Sequence, residues 1–173
     1  MNETLKTLKE RRSCRRYQAK QVEAEALDLI LEAGTYAPTG MNRQAPVIVA
    51  VQDKETRDKI AKMNAAVMGS ENDPFYGAPT VLVVLADPAV RTYVYDGALV
   101  MGNLMNAAHA VGVDSCYIFR AKEVFATEEG KAMLRSWGVP DHYEGIGNCI
   151  LGYRDDGGVK PVAPRKENYI IKV

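Results

Sequence analysis

A chain of 173 residues, 47% of them hydrophobic, is long enough for one substantial core and leads to a single domain over 1–173. Its 22 Lys and Arg cancel its 22 Asp and Glu, so no global field draws it to nucleic acid or an anionic membrane; any anion site must be a local cluster. Cys14, Cys116 and Cys149 are far apart and make no CxxC or zinc pattern, and neither a signal-peptide core nor an apolar run of spanning length is seen, so a reducing, cytoplasmic setting is expected.

The first helix is expected over residues 3–12, with Leu5 and Leu8 near one face. RRSCRRY follows at 11–17, where Arg11, Arg12, Arg15 and Arg16 concentrate positive charge. In VEAEALDLILEAG the apolar residues recur at spacings near 3.6, which predicts an amphipathic helix. It runs into YAPTGMNRQAP, where Pro38, Gly40 and Pro46 specify an irregular loop before the strand VIVAVQ. Asp53 can cap a helix over 54–68 with Ile60, Met63 and Val67 on a common side, and SENDPFYGAP then turns the chain into the buried strand PTVLVVLAD. A helix over 92–111 carries Gly97, Ala98, Gly102, Ala107 and Ala108, small residues that permit close packing. SCYIF reads as a strand, EVFATEEGKAMLRSW as one helix stopped by Gly138, and NCILGY as a fourth strand. The remainder ends in apolar YIIKV, which needs a sheet edge from its own chain or a partner because an isolated strand is unstable in water. This alternation predicts a helix-covered sheet, although the paired first helices and the trailing arm depart from a doubly wound plan.

GxGxxG after a strand, GxxxxGK[ST], GxSxG and HExxH are all absent. Of the two histidines, His109 reads as a packed polar residue and His142 has no evident carboxylate partner. Four close arginines can be a solvated helix end. Alternatively, a turn around Ser13, between Arg11 and Arg15, would direct two guanidinium groups and a hydroxyl toward one phosphate. Without a basic stripe to follow a polymer, a small phosphorylated ligand is favoured over nucleic acid. In APTGMNRQAP, Thr39, Asn42 and Gln44 offer polar contacts around Pro38 and Gly40, which suits a flat ligand as well as an ordinary connection.

Four segments in one order resemble the nitroreductase-like flavoprotein family over nearly the whole chain. RRSCRRY resembles its N-terminal phosphate motif, APTGMNRQAP its flavin-contacting loop, YEGIGNCILGY its central segment and VAPRK its basic C-terminal motif. The resemblance implies an α+β, three-layer fold: a central mixed or antiparallel sheet, helices on both faces, and a C-terminal arm exchanged in a homodimer with FMN at the subunit interface. It assigns Arg11, Ser13, Arg15 and Arg165 of one subunit, and Pro38, Thr39, Gly40 and Asn42 of the other, to the cofactor. Glu144, Gly145 and Ile146 pass beside the ring. Arg12 is grouped with the cofactor-binding residues but, like Arg16, is expected to face solvent or serve the local fold.

The implied activity is a ping-pong oxidoreduction in which NADH or NADPH supplies reducing equivalents that pass to a small electron-poor acceptor such as a nitroaromatic or quinone. FMN carries that chemistry, so neither a protein nucleophile nor a metal is required. A noncatalytic FMN-binding, storage or sensing protein would use the same contacts and is the alternative. Two features depart from the family pattern: Arg154 stands where many relatives have proline, and the chain has little room for the long helices that cover the pocket elsewhere. The stretch from Asn72 to Tyr76 is either a small lid or pocket wall, or else local disorder or simple surface packing.

Overall fold

Capping residues set the helix boundaries in this computed structural model, which describes residues 1–173. Asp53 accepts the Thr56 N–H at 2.8 Å to start a helix over Lys54–Met68, and Gly69, at φ 66, ends it in the left-handed conformation. In chain order the elements are α1 (Glu3–Glu10), α2 (Ala24–Thr35), β1 (Pro46–Val51), α3 (Lys54–Met68), β2 (Thr80–Ala86), α4 (Tyr93–Ala110), β3 (Asp114–Ile118), α5 (Ala121–Ala126), α6 (Glu128–Ser136) and β4 (Glu144–Gly152). No helix is long and apolar enough to cross a membrane.

The four strands form one antiparallel sheet in the order β1-β2-β4-β3. Every residue of β2 is buried, because both faces of this central strand are covered. Val81, Val83 and Leu85 pack with Ile60, Phe75, Phe125 and Leu134, whereas Leu82, Val84 and Ala86 pack with Ile30, Met101 and Leu104. Helices α3, α5 and α6 thus cover one face and α2 and α4 the other, giving the three-layer α+β architecture. Each fully buried Leu, Ile or Phe contributes about 1.5–3 kcal/mol.

Three local expectations change. The helix expected over 123–137 is two helices, because Thr127 is extended at ψ 157 and its hydroxyl accepts the Gly130 N–H at 3.0 Å, starting α6 afresh. The buried face of α3 comprises Arg57, Ile60, Ala61, Asn64 and Ala65, and Val67 is 41% exposed. Strand β4 begins at Glu144, before the NCILGY run, because its first residues pair with Leu85 and Ala86 of β2.

Beyond β3 the arginine segment runs along the sheet edge. Ser13 bridges Ser115 in parallel, and the Cys14 N–H donates to the Ser115 carbonyl at 2.9 Å. The turn after β4 pins it from the other side: Arg15 N–H donates to Gly158, and Asp155 N–H to Arg16. Arg154 uses the N–H that a proline would lack, donating to Asp114 Oδ2 at 3.3 Å. Residues 160–173 form no helix or strand, and Tyr169, Ile170 and Ile171 are exposed, so the arm joins no edge of its own chain's sheet.

Candidate functional site

The extended backbone of residues 11–17 divides its arginines among different tasks. Arg12 Nη1 donates to the carbonyls of Lys9 and Arg11, closing the end of α1. Arg16 pairs with Asp155 at 3.4 Å. Arg11 Nη1, by contrast, is buried with no hydrogen-bond partner. A buried cationic donor without an acceptor costs about 1–3 kcal/mol or more, which points to an anionic ligand that completes it. Ser13 lies two residues away on the same sheet edge, and Arg15 projects into an adjoining groove.

The loop after α2 is fixed by the first turn of α4. Buried Asp96 accepts the Gly40 N–H at 3.0 Å through Oδ1 and the Thr92 hydroxyl at 2.9 Å through Oδ2. A Cβ at Gly40 would lie 2.4 Å from Thr92 Oγ1, so this close approach requires glycine. Thr39 Oγ1 accepts the Gln44 N–H, and Gln44 donates to Asn42 Oδ1 at 3.2 Å. Met41, Asn42 and Gln44 hold φ values of 51, 53 and 49, a sparsely populated region for side-chain-bearing residues. The loop therefore presents Pro38 and Met41 to solvent in one defined shape.

A bulge gives β4 its functional segment. Leu85 pairs with Gly145 and Val84 with Gly147, leaving Ile146 as the extra residue. Its carbonyl accepts the Tyr117 hydroxyl at 2.8 Å. Gly145 admits the Ala121 backbone so closely that an added Cβ would lie 2.4 Å from the Ala121 carbonyl. Glu144 Oε2 accepts from Tyr93 at 2.7 Å and pairs with Lys122 at 2.8 Å. Hydrogen bonds from Lys122, then Tyr93, hold its pKa below the ordinary carboxylate value, while Glu144 raises those of Lys122 and Tyr93.

Glu144, Gly145 and Ile146 line a groove of about 320 Å³, and Arg15 lines another of about 400 Å³ bordered by Asn72 and Tyr76. The grooves share Tyr117, Phe119 and Arg120. The stretch from Asn72 to Tyr76 is thus a wall, held by Arg57, whose Nη2 donates to Asp73 at 2.6 Å. Arg165 is not brought to Arg11: it lies in the exposed arm and donates only to the Ala163 carbonyl. His142 Nε2 lies 3.6 Å from Asp87, a carboxylate distant in sequence. All three cysteines are buried and free, and burial pushes the Cys149 thiol up to about 12 against the opposing pull of Arg11. A thiol so raised is a poor nucleophile at neutral pH.

Sequence reasoning missed Tyr93, Asp96, Tyr117, Arg120 and Lys122. Asp96 and Tyr93 stand in the first turn of a helix read only for its small residues. Tyr117 lies in β3, and Arg120 and Lys122 follow it, where no spacing marks them.

The fold that carries this arrangement is shared with known proteins. A sequence model of the nitroreductase family matches residues 8–153. The chain is 31% identical over 162 residues to a predicted NADH dehydrogenase/NAD(P)H nitroreductase of Archaeoglobus fulgidus, covering 90% of this chain and 88% of that one. A crystallised Bacteroides fragilis nitroreductase with bound FMN superposes with a TM-score of 0.92 at 31% identity, covering 100% of both chains. A Desulfitobacterium hafniense nitroreductase, also with bound FMN, gives 0.88 at 29% identity over 100% of this chain and 99% of that one. With the family's sequence model matching residues 8–153 and the fold matched along the whole chain, the protein belongs to the nitroreductase family.

Proposed function

We propose that the chain is an FMN-dependent NAD(P)H oxidoreductase that passes reducing equivalents, by a ping-pong cycle, to an electron-poor acceptor such as a nitroaromatic or quinone. The observation that carries this reading is the buried, unpartnered Arg11 Nη1, two residues from Ser13 on the sheet edge, in a chain whose β4 bulge lines a groove. The donor set fits FMN. Arg11 and Ser13 would hold its phosphate, Arg15 would offer a cation to the pyrimidine edge, and Gly145 and Ile146 would present backbone beside the ring. Bound FMN supplies the hydride chemistry.

Around it, the protein positions groups and holds protons. Glu144 stays ionised at neutral pH, so it serves as an acceptor that fixes Tyr93 and Lys122 rather than as an acid. Tyr93 and Lys122 keep their protons at the rim of the groove. Tyr117 holds the Ile146 carbonyl and with it the curvature of the floor.

The working unit is a homodimer. Leu5 and Leu8 on α1, Val94, Tyr95 and Leu99 on α4, and Tyr169, Ile170 and Ile171 on the arm are exposed apolar residues that a second copy would cover. In that assembly the 38–42 loop of one subunit approaches the groove of the other, and the arm brings Arg165 to the phosphate. An absorption spectrum of gently purified protein, followed anaerobically on adding NADH or NADPH, tests the reading. A flavin spectrum that bleaches, and recovers with quinone, supports it. Failure to bind FMN on reconstitution would sink it, and bound flavin that neither nucleotide reduces would favour the noncatalytic alternative.

A further inference from the structure

Arg120 occupies the junction of the two grooves, between Arg15 and Tyr76 on one side and the Glu144–Ile146 segment on the other. It joins β3 to α5 at φ 73, a left-handed backbone that arginine seldom adopts. Asn64, fully buried on α3, fixes this conformation from both ends: its Nδ2 donates to the Phe119 carbonyl at 2.8 Å, and its Oδ1 accepts Arg120 Nε at 3.0 Å. A buried amide is thus committed to aiming one guanidinium. That is the only hydrogen bond the Arg120 side chain makes, and no carboxylate pairs with it. Arg57, on the same helix as Asn64, shows the contrast: its three nitrogens are taken by the Ala78 carbonyl, Asp58 and Asp73. A guanidinium held by Nε alone presents two Nη groups as a preorganised fork.

We propose that Arg120 is a flavin-ring residue: its free Nη pair is a second cation for the isoalloxazine, stabilising the negative charge that hydride transfer adds. This rests on the FMN reading above. Its place favours the ring over the phosphate, because Arg11 and Ser13 supply the phosphate donors at the sheet edge whereas Arg120 stands where Arg15 and the β4 bulge converge. The differential effect is the signature, since a cation that merely positions the cofactor favours the oxidised and reduced forms equally.

Arg120→Gln, Arg120→Met and Arg120→Lys should be compared by titration with oxidised FMN and by equilibrium potentiometry of the loaded proteins. The neutral variants are expected to weaken binding of reduced FMN about tenfold more than oxidised FMN, lowering the two-electron midpoint by about 30 mV. Arg120→Lys should retain most of the wild-type midpoint, which a purely structural partner of Asn64 would not require. Arg120→Met provides the measurement if Arg120→Gln does not fold. An unchanged midpoint in a folded, loaded neutral variant, or equal weakening of both redox forms, overturns the assignment. Wild-type protein that binds no FMN would instead overturn the underlying reading, before any variant is compared.

Discussion

Tyr117 donates its hydroxyl at 2.8 Å to the carbonyl of Ile146, the residue that β4 holds in excess over β2. Gly147 makes the contact possible, because a Cβ there would lie 2.6 Å from the Tyr117 ring. The bulge turns the backbone out of register beside the groove, and the tyrosine satisfies the carbonyl thereby removed from the ladder. Tyr117→Phe keeps the ring and deletes only the donor. It is expected to destabilise the protein by about 1–3 kcal/mol, the cost of leaving a largely buried carbonyl unpaired. Urea unfolding measures the loss, and unchanged stability would show that water replaces the hydroxyl.

Arg11→Met separates stability from binding. Because Arg11 Nη1 already lacks a partner, its removal breaks no hydrogen bond of that nitrogen, and the cofactor-free variant should be no less stable than the wild type. FMN affinity should nevertheless fall about 10-fold to 150-fold, for a lost charge-assisted contact of about 1.5–3 kcal/mol. Thermal unfolding with and without FMN reads both effects, since a weaker ligand raises the midpoint less at equal concentration. A variant that is destabilised without FMN yet binds it normally would make Arg11 a structural residue.

These two residues differ in how visible they are from sequence. Arg11 and Ser13 could be paired by closeness in sequence, although the segment that carries them is extended rather than the turn expected there. The β2 run was similarly legible, since a strand covered on both faces must be apolar throughout, and Asp53 and Gly69 mark the ends of α3 by local chemistry. The Ile146 bulge follows from the register between two strands 60 residues apart, which no local pattern carries. The same is true of Arg120, whose unusual backbone is held by Asn64 across 56 positions. Thr127 failed for a different reason. It is an acceptable helix residue by propensity, and only the competing N-cap bond to Gly130 breaks the helix there.

The Glu144 network sets a pH dependence with two limbs. Glu144 is depressed by Lys122 and Tyr93, so its contribution is complete above the ordinary carboxylate pKa and is lost as pH falls through the lower folded-state value. Lys122 is raised by Glu144, so its share is complete below the ordinary lysine pKa and is lost as pH rises through the higher folded-state value. Glu144→Gln removes the charge while leaving an oxygen for Tyr93. The stability difference between wild type and this variant should therefore be flat around neutrality and close toward both extremes. Urea unfolding across pH tests this; a gap that stays constant into acid would exclude the ion pair as its source.

The C-terminal arm makes the sharpest test of the quaternary proposal. Within their own chain Tyr169, Ile170 and Ile171 are 69%, 77% and 79% exposed, so they contribute almost nothing to the stability of an isolated subunit. Deleting residues 165–173 should accordingly leave the unfolding of dilute, dissociated protein unchanged while weakening the dimer and the affinity for FMN. The deletion also removes Arg165, whose charge is proposed to meet the phosphate. Full-length Arg165→Gln separates the two contributions: it should lose FMN affinity while the dimer persists. Sedimentation and flavin titration on both variants decide the matter. A truncated protein that remains a tight dimer and binds FMN normally would refute the exchanged arm. If the truncation lowers FMN affinity only as much as Arg165→Gln and the dimer is intact, the arm delivers a phosphate ligand but does not hold the subunits together.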